Sequence, residues 1–118
     1  MGLGSYRELV VWQKSIELVK LVYKLTELFP EKEKFGLTTQ LRRAAISIPS
    51  NIAEGYTRKS RREYAQFINV ALGPAAELET QLHITRELSL GDKIGLSEGE
   101  SLVAEIMRML YVLLQKVK

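Results

Sequence analysis

The chain has 118 residues, 46% hydrophobic and 26% charged, with a formal net charge of +3. This size and balance suit one soluble globular domain large enough for a real core. No apolar run approaches the roughly eighteen residues of a membrane span, and the absence of cysteine removes disulfides and thiolate chemistry.

Residues 1–6 carry neither the basic n-region nor the apolar h-region of a secretory signal. Tyr6 stands where a myristoylation pattern has Ser or Thr. The expectation is a cytoplasmic protein. The net charge hides an asymmetry: residues 1–62 carry 12 Lys/Arg against 6 Asp/Glu, and residues 63–118 carry 5 against 8. A basic first half suits a negatively charged partner, or an oligomer whose basic and acidic faces meet.

Three capping boxes punctuate the chain, Ser5-x-x-Glu8, Ser60-x-x-Glu63 and Ser97-x-x-Glu100. Each places a hydroxyl and a carboxylate where they can satisfy the orphan N–H groups of a helix start. The first helix is predicted over about 7–28, ending before Pro30 because the residue ahead of a proline avoids the helical region. Trp12, Ile16, Val19 and Tyr23 form one helical stripe, and Val11, Leu18, Val22, Leu25 and Phe29 form another. With Leu21 and Leu28 the apolar arc covers roughly 240°, against the roughly 100° that one core requires.

The second helix is predicted over 37–54, with Leu41, Ala44, Ala45, Ile48 and Ile52 inward and Gly55 as a left-handed C-terminal stop. Pro49 lies inside it and should kink it. Thr39, Arg43, Ile46, Ser50 and Ala53 share its outer face, a mixed surface suited to a neighbouring subunit. The third helix is predicted over 61–88 with a seam of Tyr64, Ile68, Ala71, Ala75, Leu78 and Leu82, and a second kink at Gly73-Pro74. After a turn at 90–95, the fourth runs over 98–117 with Leu102, Ile106, Leu110, Leu113 and Val117 inward. Val103, Met107 and Leu114 widen that face.

These patterns predict an all-α fold, a single antiparallel up-down-up-down four-helix bundle over 1–118. The over-wide arcs of the first and fourth helices predict a partner surface. Val11, Leu18, Leu21, Leu25, Ile46 and Met107 are its candidate residues.

Catalysis finds little to use. His83 is the one histidine, and Glu79, Thr80, Arg86 and Glu87 around it make neither a triad nor a metal site. The paired Glu-x-x-His motifs of di-metal bundles and the glycine-rich phosphate loops are absent. The expectation is no catalytic residue, no metal and no cofactor, hence not an enzyme.

The densest basic stretch is Arg58, Lys59, Arg61 and Arg62, at the junction of the second and third helices. Arg61 and Arg62 fall in a helix's first turn, where the macrodipole disfavours cations by a few tenths to about 1 kcal/mol. Tyr56 and Tyr64 flank the cluster, an arrangement found where unpaired bases stack on aromatic rings. Ordinary solvated surface charge is the competing account. Arg42 and Arg43 suit pairing with a carboxylate across a groove or subunit boundary as well as they suit phosphate.

The segments VWQK (11–14), FGLTTQLRRAAISIPSNIAEG (35–55) and AELETQL (76–82), with Phe29-Pro30, resemble the four-helix bundle proteins encoded by intervening sequences in 23S ribosomal RNA genes. The resemblance spans roughly residues 9–90, and SIPSNIAEG is its most distinctive part. It implies a non-enzymatic, ring-like homopentamer around a central channel. The chain is also similar to the accessory protein of diversity-generating retroelements, a basic pentamer that binds nucleic acid and a reverse transcriptase. Gly73-Pro74 departs from the commoner Gly-Ser pair of the family. Two functions follow as expectations. One is RNA or ribosome binding through the basic surface, with Arg58, Lys59, Arg61, Arg62, Arg43 and Tyr56 as candidates. The other is an interaction scaffold for a polypeptide partner.

Overall fold

The computed structural model describes residues 4–118. The leader reading rests partly on residues 1–3, which lie outside the described residues. Four helices carry most of the chain: α1 (Val10–Thr26), α2 (Leu37–Tyr56), α3 (Arg61–Glu87) and α4 (Lys93–Val117). Short 3-10 turns cover Tyr6–Glu8 and Glu31–Glu33, and there is no strand among the described residues. No helix of the described residues is long and apolar enough to cross a membrane.

The amphipathic stripes determine how the helices meet. Each helix packs against two others, α1 and α3 both lying against α2 and α4. Leu18 and Val22, Leu41, Ile48 and Ile52, Ile68, Leu78 and Leu82, and Val103, Ile106 and Leu110 converge with no solvent exposure. Each such side chain contributes roughly 1.5–3 kcal/mol by leaving water. The result is a four-helix bundle measuring 45 × 24 × 21 Å.

Two predicted helix starts shift. Ser5 Oγ accepts from Arg7 N at 3.1 Å, and the Glu8 carboxylate accepts from Gly4 N at 3.1 Å. That box opens the 3-10 turn; extended Leu9 follows it, and α1 starts at Val10 instead of 7. α4 starts at Lys93 instead of 98, because Asp92 Oδ2 accepts from Gly95 N at 2.9 Å and caps it. Ser97 and Glu100 are therefore inside α4, and both bind Arg86. The box starting at Ser60 is placed as predicted, with Ser60 Oγ accepting from Glu63 N at 3.0 Å.

Gly55 is not the left-handed stop that the sequence suggests. It lies buried within α2, which continues to Tyr56. A Cβ there would sit 2.6 Å from Phe67 Cβ, so this glycine permits the close crossing of α2 over α3. The left-handed positions are instead Ser89 (φ 55°) and Gly91 (φ 71°), at the end of α3. Leu90 N donates to the Thr85 carbonyl and Ser89 N to the Arg86 carbonyl, the pairing of a Schellman stop.

Helical structure continues through both Pro49 and Pro74. Around Pro49, Ser50 Oγ donates to the Ile46 carbonyl and Asn51 Nδ2 to the Ser47 carbonyl, at 2.9 and 2.8 Å. Pro49 itself is buried, so its ring adds to the packing between elements.

Candidate nucleic-acid interface

The site begins with the Ser60 cap, which fixes α3 to start at Arg61. Arg61 then reaches across to α4, where its Nη2 donates to the Lys116 carbonyl at 2.7 Å. The guanidinium that looks misplaced at one helix's positive end therefore satisfies the negative end of another. This contact brings the α2–α3 junction beside the last turn of α4. Lys118 thus joins Arg61 and Arg62 around one groove at this end of the bundle, across 55 residues of sequence between Arg61 and Lys116. Sequence reading missed Lys118 because a cation at the C-terminal end of a helix is unremarkable alone.

The six candidates separate by what they touch. Arg58 Nη2 pairs with Glu54 at 2.7 Å, and its guanidinium lies 4.7 Å from the centre of the Phe67 ring. Tyr56 and Tyr64 meet edge to face with ring centres 5.9 Å apart, so the two rings pack on each other. Burial raises the pKa of the Tyr64 phenol, and the neighbouring Tyr56 raises it further. Lys59 and Arg62 are exposed and form no ion pair among the described residues. They are the available cations of the Arg58–Arg62 stretch.

Arg43 is not part of this cluster. It is exposed on α2, 13 residues before Tyr56, hence about 20 Å along the helix axis at 1.5 Å per residue. Arg42 has an intramolecular role: its Nε donates to Thr26 Oγ1 at 2.8 Å, and its guanidinium sits 4.4 Å from the Tyr23 ring centre.

A groove of about 630 Å³ opens between α3 and α4 beside the cluster. Arg61, Arg62 and Lys118 stand at it, with Gln66, Asn69, Ala65, Leu114 and Val117 lining the remainder. No Asp or Glu side chain lines it. Gln66 and Asn69 were missed because isolated amides on a helix surface carry no motif.

The candidate assembly residues occupy different environments. Val11, Leu18 and Leu25 are at most 5% exposed and belong to this chain's own core. The wide arc of α1 is taken up largely by its two neighbours, α2 and α4. Leu21 is half-buried and faces Gly99 of α4, where an added Cβ would lie 3.1 Å from Leu21 Cδ2. Met107 is half-buried against the core. Ile46 is exposed, beside a groove shared with Trp12, Ile16 and Pro49. The larger exposed apolar residues near the start of α1 and the end of α4 are Val10, Tyr111 and Val112.

His83 is exposed and close enough to Glu100 to help lower its carboxyl pKa, after the larger effect of Arg86. Among the described residues, no group of three His, Cys, Asp or Glu side chains is placed to hold a metal.

Comparison with curated proteins finds no match. Among solved structures, the chain is similar to a Bacteroides thetaiotaomicron protein of unknown function from the S23 ribosomal protein family. The two share 27% identity and a TM-score of 0.79, over 90% of this chain and 96% of that one. Residues 7–112 match the family described as 23S rRNA-intervening sequence protein, nearly the whole bundle from the first 3-10 turn into the last turns of α4. The chain belongs to the 23S rRNA-intervening sequence protein family.

Proposed function

We propose that this protein is a non-enzymatic, self-assembling four-helix bundle that holds the phosphate backbone of RNA with its basic end, in the cytoplasm. The observation carrying this reading is the gathering of Lys118 with Arg61 and Arg62, beside Arg58 and Lys59. Phosphate binding needs such a concentration of cations, because the released counterions drive the association. The family description and the ribosomal family of the similar Bacteroides structure support an RNA context. An up-down-up-down chain path is supported by two contacts: Arg61 at the start of α3 bonds the end of α4, and Arg86 near the end of α3 bonds Glu100 early in α4. Exposed Val10, Tyr111 and Val112 support association of copies, for which the family resemblance implies a five-membered ring.

A gel-shift titration of RNA at several salt concentrations tests the reading. Affinity should fall steeply with salt, and the double variant Lys59→Ala, Arg62→Ala should reduce the logarithmic salt slope by about 1.5 for single strands. Those two residues are chosen because Arg58 and Arg61 also have structural partners. Absence of a complex at low salt, or an unchanged slope, overturns the proposal.

A polypeptide partner is the second reading. It is favoured by an apolar groove of about 320 Å³ that includes Val10, Met109, Val112 and Leu113. A stoichiometric polypeptide co-purifying from the native host, without nucleic-acid absorbance, would select it over RNA.

A further inference from the structure

The groove beside the basic cluster has three kinds of lining, and their arrangement is more specific than a charge patch. At its edge stand Arg61, held in place by the Lys116 carbonyl, and Arg62. Gln66 and Asn69 follow at a spacing of three on α3, so their amides lie on one helix face. Across from them the lining from α4 is apolar, Leu114 and Val117. A duplex held only by its backbone would require the cations alone.

From this arrangement we infer that the α3–α4 groove is a subsite for an unpaired nucleotide of a single-stranded RNA, with the base against Leu114 and Val117 and its edge toward Gln66 and Asn69. The inference rests on the RNA reading above and adds the form of RNA that is bound. Cations among the lining suit the phosphates on either side of the nucleotide, and no Asp or Glu side chain lines the groove to oppose that attraction. Side-chain amides combine donor and acceptor in one plane, which matches the donor and acceptor edges of bases. The apolar wall offers a surface for the flat face of the base. A volume of about 630 Å³ falls within the 300–1,000 Å³ or so of sites that enclose small ligands. An A-form duplex cannot use such a subsite, because its bases are stacked and its major groove is too narrow for side chains.

The test measures fluorescence anisotropy with a labelled, unstructured 12-nucleotide RNA and with the same strand annealed to its complement. The single strand should bind about tenfold more tightly than the duplex, the scale of one well-placed base contact. Gln66→Ala with Asn69→Ala should lower single-strand affinity about fivefold or more, leaving duplex affinity and the salt slope unchanged. Asn69→Asp, a near-isosteric change at an exposed position that cannot readily unfold the helix, should weaken single-strand binding by at least as much. Circular dichroism of each variant should match the parent. Equal affinity for both RNAs, or amide variants that leave single-strand binding unchanged, overturns the subsite while the backbone-binding function stands. Binding of neither RNA at low salt overturns both, as does binding of a labelled poly-aspartate peptide in preference to RNA.

Discussion

Gly55 of α2 and Phe67 of α3 cross so closely that a Cβ added to the glycine would lie 2.6 Å from Phe67 Cβ. Two effects compete in Gly55→Ala. Alanine improves a helix interior by up to about 1 kcal/mol, whereas overpacking typically costs about 1–3 kcal/mol. The clash should win, because the opposing atom is a Cβ rooted on the backbone and cannot swing aside as a side-chain end can. Chemical denaturation should show a net loss of about 1–2 kcal/mol. A gain in stability would mean that the α2–α3 crossing is looser than this.

The start of α4 supplies a second prediction. Asp92 caps the helix through Gly95 N, while Ser97 inside it accepts from Arg86 Nη2 at 3.0 Å. Asp92→Ala should therefore cost about 1 kcal/mol, the usual loss for a removed N-cap. Ser97→Ala loses only an exposed hydrogen bond and should stay within about 0.5 kcal/mol. If Ser97 proved the costlier deletion, the helix would begin where the third capping box suggested.

These cases show which parts of the fold were legible in the sequence. Of the predicted seam, Ile68, Ala71, Ala75, Leu78 and Leu82 are fully buried and Tyr64 at its start is half-buried, because helical periodicity reports burial directly. Helix starts were less legible. Ser5 and Ser97 fit the capping pattern, but a box states only that a hydroxyl and a carboxylate are correctly spaced. The glycines on either side of Asp92, Lys93 and Ile94 suggest a turn, although Gly95 supplies the N–H that Asp92 caps. The basic end was half legible: four cations lie within five residues, whereas Lys118 meets Arg61 and Arg62 only in the folded groove. Nor does periodicity distinguish a helix with two intrachain neighbours from one with a neighbour in another chain. The wide arc that makes Val11, Leu18 and Leu25 assembly candidates is equally the arc of a helix packed within one chain, where all three are buried.

The Arg86–Glu100 pair gives a pH prediction. Arg86 Nη2 donates to Glu100 Oε1 at 2.7 Å, and that hydrogen bond holds the Glu100 carboxyl below its usual pKa while raising that of Arg86. A carboxyl depressed in the folded state contributes stability above its unfolded pKa, and the contribution disappears as pH falls through the folded value. Glu100→Gln should therefore lower Tm at neutral pH, with the difference beginning to shrink at about pH 4, the unfolded carboxylate range, and vanishing only below the lower folded value. The side chains are 40% and 32% exposed, so added salt should shrink the neutral-pH difference. A difference that widened toward acid would reverse the assigned sign.

Leu18 and Ile46 separate the bundle's own packing from assembly between copies. Leu18 is fully buried in the core, and Ile46 is 42% exposed on α2. Leu18→Ala leaves a cavity between helices and should cost about 2–5 kcal/mol, with the spread set by how far the neighbours relax. Ile46→Ala removes an accessible side chain, so the stability of an isolated protomer should change by no more than about 0.5 kcal/mol. If α2's outer face meets another copy, the same change should lower the light-scattering mass at low micromolar concentration while helicity is retained. An assembly unchanged by Ile46→Ala would remove this face from the interface and shift attention to Val10, Tyr111 and Val112.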